Sequence, residues 1–308
     1  MTLGVAESIL DLVGNTPLLH LSRFAPTPLA QVYAKLEWLN PGGSIKDRIA
    51  LGMILDAEKR GILRDGATII EPTAGNTGIG LALVGAARGY RVILCVPHGY
   101  AVEKMKLMEA LGGEIEYVPQ DTGMAGAIAR AYELAAEIKG SFVPQQFENE
   151  ANPCFHELTT AREIIEQMDR HIDAVVIGAG TSGTFVGVAR AVKKINPDVL
   201  CVLVEPEGSI YGGKPPGPKK IEGIGQKDFI PEIFDASLAD EIMMVMDDET
   251  CAAIRGLAKT EGVLGGWSTG AAAAAAKNVA ERLGEGKRIV TVFPDGTERY
   301  MSQGILDQ

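Results

Sequence analysis

A single lysine lies at the end of a glycine-rich turn near the start of this 308-residue chain. Lys46 follows Asn40-Pro41-Gly42-Gly43-Ser44-Ile45 and begins a predicted helix over about 46–60. The glycines let the backbone turn tightly and approach a ligand closely, and Ser44 is a predicted cap for the helix. The alternating segment 32–37 predicts a half-buried strand before the turn. Although most lysines are solvated surface charges, a lysine held between strand and helix suits covalent capture of a carbonyl cofactor.

A second candidate lies where the predicted strand 174–177 runs into Gly178-Ala179-Gly180-Thr181-Ser182-Gly183-Thr184 and then into a helix. Backbone N–H groups at a helix N-terminus form an anion site, especially where no Cβ atoms obstruct the approach. The side chains of Thr181, Ser182 and Thr184 add hydroxyl donors. The pattern therefore predicts a phosphate site, and a tight strand–helix turn is the simpler alternative.

The identity of that phosphate has two interpretations. Gly178, Gly180 and Gly183 match the G-x-G-x-x-G fingerprint, and Glu205 ends the next predicted strand, which together favour an NAD-dependent oxidoreductase. Two features weigh against this alternative. The three hydroxyl residues of the loop suit a terminal phosphate monoester better than a bridging pyrophosphate. In addition, Glu205 is followed directly by Pro206 and a glycine-rich segment.

A third polar loop, Glu71-Pro72-Thr73-Ala74-Gly75-Asn76-Thr77-Gly78-Ile79-Gly80, also passes from a strand to a helix. It offers backbone N–H groups and the side chains of Thr73, Asn76 and Thr77. Such a loop can hold a carboxylate through fixed hydrogen bonds, and the Asn76 amide can donate to a phenolic oxygen. The alternative is an ordinary helix start capped by Asn76 or Thr77.

Composition excludes several classes of partner. The formal net charge of −11 disfavours nucleic acid or an anionic membrane. The sequence has no apolar run of membrane-spanning length, and its first ten residues lack the features of a signal peptide. Its four cysteines show no spacing typical of a metal site or a redox pair, and Cys95 and Cys201 lie in apolar runs as small buried hydrophobes. These observations predict a cytoplasmic protein with reduced thiols.

Strand and helix patterns alternate along the chain, which predicts an α/β fold with parallel sheets covered on both faces. The predicted strands are 68–70, 91–96, 114–118, 174–177, 200–205 and 288–293. The predicted helices are 76–88, 101–111, 123–138, 151–168, 183–195, 247–261 and 269–283. They form two clusters, joined by the polar stretch 145–153, so we expect two α/β lobes with a cleft between them. Segment 207–227, with six glycines and three prolines, is predicted to be a loop over that cleft.

Four separated patches of this sequence resemble the pyridoxal phosphate enzymes of the cysteine synthase and cystathionine β-synthase family. They are Pro41-Gly42-Gly43-Ser44-Ile45-Lys46-Asp47-Arg48, Thr73-Ala74-Gly75-Asn76-Thr77-Gly78, Gly180-Thr181-Ser182-Gly183-Thr184 and Gly266-Trp267-Ser268-Thr269-Gly270. Shorter matches are Gly14-Asn15-Thr16-Pro17-Leu18, Gln146-Phe147, Glu222-Gly223-Ile224-Gly225 and Pro294-Asp295. The likeness covers almost the whole chain in one order.

This resemblance implies the fold of a tryptophan synthase β-like, fold type II enzyme. Residues 40–147 would form the smaller lobe. Residues 1–39 and 148–308 would form the larger lobe, with the cofactor in the cleft between the two. The family assembles as homodimers, so the resemblance also implies a homodimer.

The resemblance also assigns roles to individual residues. Lys46 would hold pyridoxal 5'-phosphate as a Schiff base and act as the catalytic residue. The other cofactor-binding residues would be Asn76 at the ring hydroxyl, Ser268 at the pyridine nitrogen, and Gly180, Thr181, Ser182, Gly183 and Thr184 at the phosphate. The substrate carboxylate would be held by Thr73, Gly75, Thr77 and Gln146.

The implied reaction is a β-replacement. A hydroxyl such as Ser268, unlike a carboxylate, does not keep the pyridine nitrogen protonated, so the ring is a weaker electron sink and the Cα carbanion expels its β-substituent. Lys46 would take the Cα proton. O-acetylserine or serine would lose acetate or water to give an aminoacrylate, and sulfide or a thiol such as homocysteine would add, giving cysteine or cystathionine.

Some positions depart from the family pattern. Ala74 stands where a serine is common, Ser182 stands where a glycine is common, and Trp267 is bulky for its place beside Ser268. These changes affect the preference for the amino-acid substrate and for the nucleophile. The sequence therefore leaves both serine and O-acetylserine, and sulfide, homocysteine and cysteine, as alternatives. A further alternative is a non-catalytic relative that holds the C-terminus of a partner protein in its substrate site.

Overall fold

The computed structural model describes residues 4–99 and 101–307. Within these ranges the chain separates into two compact units. The smaller unit comprises residues 4–14, 39–99 and 101–151, and the larger unit comprises residues 15–38 and 152–307. Residues 4–14, 39 and 148–151 therefore group with the smaller unit, whereas the sequence interpretation assigned them to the larger lobe. Residues 1–3, 100 and 308 of that interpretation lie outside the described residues.

The described residues form nine strands and nine α-helices. The strands are β1 (Leu18–His20), β2 (Gln31–Leu36), β3 (Thr68–Pro72), β4 (Arg91–Pro97), β5 (Glu114–Val118), β6 (Ala174–Gly178), β7 (Leu200–Pro206), β8 (Glu241–Val245) and β9 (Arg288–Phe293). The helices are α1 (Lys46–Lys59), α2 (Asn76–Arg88), α3 (Val102–Ala110), α4 (Gly123–Glu137), α5 (Ala151–His156), α6 (Arg162–Gln167), α7 (Gly183–Ile195), α8 (Asp247–Glu261) and α9 (Trp267–Leu283). A π-helical turn at Glu157–Ala161 joins α5 to α6. Short 3-10 helices lie at Ile9–Leu12, Glu37–Leu39, Gln120–Thr122, Ala236–Leu238 and Thr297–Gln303.

The smaller unit is built on the parallel sheet β3-β4-β5. Successive side chains of a strand point to opposite faces, and the two faces of this sheet carry separate apolar cores. Ile69 packs with residues of α1, α2 and α3, whereas the next residue, Ile70, packs with residues of α4. Both faces are covered, as the apolar strands predicted.

The larger unit is built on a six-stranded sheet in the order β1-β2-β9-β6-β7-β8. All of its pairings are parallel except that of the edge strand β1, which runs antiparallel to β2. The alanine run of α9 lies buried in the core of this unit with side chains from β2, β6 and β7. Alanine has the highest helix propensity and a small side chain, so α9 can lie close to the sheet.

Most predicted elements are confirmed, and α2, α7 and α8 have the predicted bounds. The structure adds β1 and β8, which the sequence interpretation missed, and both lie at edges of the larger sheet. The predicted single helix 151–168 is interrupted by the π-helical turn. Cys95 and Cys201 are buried as predicted, and burial raises the pKa of each thiol to about 12. Among the described residues, no helix combines the length and apolarity needed to cross a membrane.

Candidate functional site

Lys46 is the first residue of α1, and the turn before it is held by hydrogen bonds at both ends. The Lys46 N–H donates to Ser44 Oγ (3.2 Å), and the Gly42 N–H donates to the Asp47 carboxylate (2.6 Å). A Cβ at Gly42 would lie 2.5 Å from that carboxylate, so a side chain there would displace Asp47 from this hydrogen bond. Ser44 therefore satisfies one free N–H group at the helix start, as predicted, although it lies one residue before the N-cap residue, Ile45.

The polar loop at residues 73–77, the Asn76 loop, joins β3 to α2. Its N-cap is Gly75, so neither Asn76 nor Thr77 is the N-cap residue of this helix, contrary to the alternative interpretation. A Cβ at Gly75 would meet nothing within 4 Å, so the side of the loop beyond Gly75 is open. One turn into α2, a Cβ at Gly80 would lie 3.0 Å from the Lys46 carbonyl oxygen. Lys46 and Asn76 therefore begin two helices that pack closely within the smaller unit.

Gln146 is linked to the Asn76 loop by a side-chain hydrogen bond. The buried Thr77 hydroxyl donates to Gln146 Oε1 (2.6 Å), which fixes the amide oxygen toward Thr77 and the amide NH2 away from it. The Glu71 carboxyl group accepts the backbone N–H groups of Gln145 (2.8 Å) and Gln146 (3.0 Å). The structure thus brings together the predicted substrate residues Thr73, Gly75, Thr77 and Gln146 at one end of the smaller sheet.

Glu71 is a supporting residue that the sequence interpretation missed. Its side chain is fully buried, and burial raises the pKa of its carboxyl group from 4.5 to about 8, although the two backbone N–H groups act in the opposite direction. At neutral pH the group is therefore protonated. The available signal was an acidic residue inside the apolar strand β3, directly before a polar loop.

The loop at residues 178–184, the Ser182 loop, joins β6 to α7. Ser182 adopts the left-handed backbone conformation (φ 71°), which explains why glycine is the easier residue there. A Cβ at Gly183 would lie 1.9 Å from Asn152 Oδ1, so a side chain there would displace the Asn152 amide, which donates to Thr181. The Thr181 hydroxyl accepts hydrogen bonds from the Asn152 amide (3.2 Å) and from the Gly183 N–H (3.4 Å).

The long segment after β7 packs against the Ser182 loop. The Gly180 carbonyl oxygen accepts hydrogen bonds from the Tyr211 hydroxyl (2.8 Å) and the Gln226 amide (2.9 Å). The Gly225 N–H donates to the Ala179 carbonyl (2.6 Å). Burial raises the pKa of Tyr211 above its usual range, so its hydroxyl stays a donor. This segment is a loop, as predicted, and it supports the backbone of the Ser182 loop.

Ser268 lies on the same side of the larger unit as the Ser182 loop, and Gly223 connects them. A Cβ at Gly223 would be 3.5 Å from Ser268 Oγ, and the Gly223 carbonyl oxygen would be 2.3 Å from a Cβ at Gly180. Ser268 is not an N-cap, because α9 begins at Trp267 with Gly266 as its cap. Its side chain therefore projects from the first turn of the helix.

The bulky Trp267 is held by polar contacts. Its indole N–H donates to Gln303 Oε1 (2.9 Å), and the amide of Gln303 donates to Glu222 (2.6 Å). The Lys220 ammonium lies 5.4 Å from the centre of the indole ring, within the range of a cation–π interaction. Trp267 is therefore buried and held in place next to Ser268.

Glu205 does not support the dinucleotide interpretation. Its side chain is buried and accepts the backbone N–H of Gly212 (3.1 Å), so it is part of the interior of the larger unit. A residue that binds a ribose must present its carboxylate to the ligand. The alternative of an NAD-dependent oxidoreductase is therefore wrong, although the glycine spacing fits its fingerprint.

The residues of the Ser182 loop fit a phosphate group. The loop lies at the N-terminus of α7, a helix of 13 residues, where backbone N–H groups favour an anion. Within the described part of the chain, the buried Ser182 hydroxyl forms no hydrogen bond of good geometry, although it lies near the Tyr211 hydroxyl, which itself donates to Gly180. A buried hydroxyl without a well-formed hydrogen bond costs free energy, and a phosphate oxygen would supply a stronger acceptor.

Comparison with known proteins places the chain. The family model described as "Pyridoxal-phosphate dependent enzyme" matches residues 9–295. The chain is 46% identical over 298 residues to a cysteine synthase of Staphylococcus aureus, with 96% of each protein covered. It is 46% identical over 303 residues to the O-acetylserine dependent cystathionine beta-synthase of Bacillus subtilis, with 98% of each covered.

The fold agrees with these similarities. The crystal structure of an O-acetylserine dependent cystathionine beta-synthase from Helicobacter pylori matches with a TM-score of 0.94 and 43% identity, over 98% of this chain and 99% of that one. The chain has the α/β fold of the fold type II enzymes, as predicted. Since the family model spans nearly its whole length and the relatives match end to end, this chain belongs to the family of pyridoxal-phosphate dependent enzymes.

Proposed function

We propose that this protein catalyses β-replacement on O-acetylserine, with sulfide or a thiol such as homocysteine as the nucleophile. The observation that carries the proposal is the end-to-end identity, at the same 46%, to a cysteine synthase and to an O-acetylserine dependent cystathionine beta-synthase. Both names describe enzymes that make a sulfur-containing amino acid. The products here would be cysteine or cystathionine, with acetate released.

The cofactor would be held by residues of the two polar loops. Pyridoxal phosphate, when bound, supplies an aldehyde for the substrate amine and an electron sink for Cα. Gly180, Gly183 and the three hydroxyls of the Ser182 loop (Thr181, Ser182 and Thr184) would bind its phosphate. Asn76 would donate to the ring hydroxyl. Ser268 would donate a hydrogen bond to the pyridine nitrogen. It would not protonate that nitrogen, because a serine hydroxyl is a far weaker acid than a pyridinium ion.

Lys46 would bind the cofactor covalently through its aldehyde carbon in the resting enzyme. It would then act as the base that accepts the proton from Cα. Its position at the first residue of α1, after a turn fixed by two hydrogen bonds, limits the motion of its backbone. A primary amine released close to the substrate can accept the proton from Cα. The same ammonium group can return a proton after the nucleophile has added.

The Asn76 loop and Gln146 would hold the substrate carboxylate. The N-terminus of α2 provides N–H groups at the open side of Gly75. Thr73 and Thr77 are nearly fully buried, and the Gln146 amide is oriented by Thr77. A carboxylate fixed by such groups places Cα of the substrate in one orientation.

The test is a product assay with four combinations of substrates. O-acetylserine and serine are each offered with sulfide and with homocysteine, and cysteine, cystathionine and acetate are measured. We expect turnover of O-acetylserine with at least one nucleophile. Absence of product from O-acetylserine with both nucleophiles, in protein that carries the cofactor, would contradict the proposal.

The site itself is tested by chemical trapping. Borohydride reduction of the holoenzyme should fix the cofactor to the peptide that contains Lys46. The Lys46→Ala variant should lose this adduct, whereas Lys59→Ala, at the other end of the same helix, should keep it. An adduct on a different lysine would contradict the assignment.

Two further features are proposed on the family resemblance. We expect the protein to be a homodimer, which light scattering coupled to size-exclusion chromatography would measure. We also expect it in the cytoplasm, in line with its four cysteines, whose spacing is not typical of a metal site or a redox pair. Fractionation of cells that express the full chain checks the second expectation.

A further inference from the structure

A buried histidine connects the Ser182 loop to the segment that contains the π-helical turn. His156 Nε2 lies 3.1 Å from Thr184 Oγ1, and His156 Nδ1 lies 2.9 Å from Thr160 Oγ1. His156 and Thr160 are fully buried, and Thr184 nearly so. All three belong to the larger unit. The ring of His156 thus forms hydrogen bonds on both sides, between one loop hydroxyl and one helix hydroxyl.

The hydroxyl of Thr160 fixes which ring nitrogen carries the proton. Within the described residues, Thr160 Oγ1 has a single hydrogen-bond partner, His156 Nδ1. If Nδ1 carried the proton, the buried Thr160 hydrogen would have no acceptor, which costs free energy. With Nδ1 as the acceptor, both groups are satisfied and the proton lies on Nε2. The neighbouring Thr159 differs, since its hydroxyl donates to the Phe155 carbonyl in the ordinary helical manner (2.6 Å).

The tautomer of His156 determines what Thr184 can do. With its proton on Nε2, His156 donates to Thr184 Oγ1, and the hydrogen of Thr184 stays available for another acceptor. In the opposite tautomer, Nε2 would accept the hydrogen bond from the Thr184 hydroxyl, and that hydrogen would not be available to a ligand. Thr181 shows the same arrangement, because its oxygen accepts from Asn152 and from the Gly183 N–H, and its own hydrogen is not used there. Both threonines are thereby prepared as donors.

We propose that His156, set in one tautomer by Thr160, is a positioning residue that commits the Thr184 hydroxyl to donate to the cofactor phosphate. This proposal rests on the proposed function, in which Thr184 binds that phosphate. It extends the cofactor site to Thr160, a residue on another helix that does not belong to the Ser182 loop. It also gives the interrupted helix at Glu157–Ala161 a role, because Thr160 lies within that turn.

The first measurement reads the tautomer directly. Nitrogen NMR of the holoenzyme labelled at its four histidines should show one imidazole with a protonated Nε2 and an unprotonated Nδ1, assigned by its loss in His156→Gln. Thr160→Ser should keep this signature. Thr160→Val, which has the same shape without the hydroxyl, should lose it. A wild-type His156 protonated at Nδ1 alone would overturn the proposal.

The second measurement separates the phosphate from the rest of the cofactor. The dissociation constants of pyridoxal phosphate and of pyridoxal, which lacks the phosphate, are measured with the full chain after removal of the bound cofactor. Thr160→Val should raise the dissociation constant of pyridoxal phosphate by roughly 10-fold, since a hydrogen bond to a charged group is lost. The dissociation constant of pyridoxal should not change. Thr160→Ser should bind both as the wild type does.

Thr159→Val is the matched control, because it removes a hydroxyl from the adjacent residue that has no link to His156. It should change neither dissociation constant. Equal weakening of both ligands by Thr160→Val would indicate a general packing defect and would overturn the proposal. So would unchanged binding of pyridoxal phosphate in Thr160→Val. If Thr160→Val does not fold, two variants of His156 replace it. The amide of His156→Gln can still donate to Thr184, so this variant should bind pyridoxal phosphate more tightly than His156→Leu. Equal binding by these two variants would overturn the proposal.

These outcomes are distinct from failure of the proposed function. A wild-type protein that turns over O-acetylserine but shows no phosphate-specific effect of Thr160→Val retains its function and loses only this inference. A wild-type protein that does not bind pyridoxal phosphate loses both.

Discussion

The smaller unit contains the residues proposed for the reaction, and the larger unit contains most of those proposed to hold the cofactor. Lys46 and the Asn76 loop belong to the first, whereas the Ser182 loop and Ser268 belong to the second. The supports of the two loops also differ. Behind the Asn76 loop lies a buried carboxyl group, Glu71, whereas the Ser182 loop is held by side-chain amides, a tyrosine hydroxyl and an imidazole.

This difference shows how an anion site can be built on an acidic support. A charged carboxylate behind the Asn76 loop would repel a substrate carboxylate. Burial raises the pKa of Glu71 to about 8, so at neutral pH the group is neutral and still accepts hydrogen bonds. The Asn76 loop therefore offers an anion N–H and O–H donors while the carboxyl group of Glu71 behind it carries no negative charge.

The largest effect should come from Lys46→Ala, which separates reaction from cofactor binding. We expect kcat to fall by roughly 10²- to 10⁴-fold, the usual contribution of a positioned base, with pyridoxal phosphate still bound without a covalent bond through the larger unit. Steady-state rates and equilibrium dialysis measure the two quantities. Lys59→Ala serves as the control. Complete loss of cofactor binding together with activity would break the comparison.

Of two glycine substitutions, one should affect the stability of the fold and the other should affect substrate binding. Gly183→Ala places a Cβ on Asn152 and should lower the free energy of unfolding by about 1–3 kcal/mol. Gly75→Ala meets open space with ordinary backbone angles, so the free energy of unfolding should not change, while KM for the amino-acid substrate should rise. Denaturant titration and kinetics check both. A stability loss in Gly75→Ala as large as in Gly183→Ala would contradict this division.

Glu71 should make stability depend on pH. Its pKa is about 8 in the folded protein and 4.5 when exposed, so its contribution is fully present below pH 4.5 and is lost as the pH rises through 8. In Glu71→Gln this loss should disappear, at a cost of about 1 kcal/mol because an amide NH2 faces a backbone N–H. Urea unfolding at several pH values measures both. Glu116→Gln, an exposed partner of Arg130, should keep the wild-type slope. An unchanged slope in Glu71→Gln would show that Glu71 does not retain its proton.

The smallest effect should come from Ser182→Gly. Removing a side chain from the left-handed region relieves strain, but glycine gains freedom in the unfolded chain, so the free energy of unfolding should rise by at most about 1 kcal/mol. Affinity for pyridoxal phosphate should fall several-fold, since one hydroxyl is lost. Asp169→Gly gives the same backbone relief at an exposed position and should leave that affinity unchanged. Tighter cofactor binding in Ser182→Gly would show that the hydroxyl hinders the phosphate.

The sequence predicts the main elements because each polar loop directly follows an apolar strand and precedes an amphipathic helix. That local pattern is sufficient to locate α2 and α7, and it places Lys46 at a helix start. It does not reveal β1 and β8, which are short or partly exposed edge strands. It also gave Glu205 a role that its burial excludes, because a fingerprint carries no information about what a side chain contacts.

His156 and Glu71 were missed for a related reason. A single histidine on a helix and one acid in a strand are common in protein cores. Their roles depend on partners that are distant in sequence: Thr184 lies 28 residues from His156, and Gln145 lies 74 residues from Glu71. No local periodicity encodes such a pairing.

The sequence by itself determines the order of most strands and helices, the family, and the places where polar loops follow apolar strands. These follow from short-range backbone preferences and from the spacing of apolar residues. The tertiary structure alone decides which hydroxyls already have partners, which carboxyl group keeps its proton and which histidine tautomer is present. Burial and hydrogen-bond direction fix those properties, and both arise only when distant segments of the chain come together.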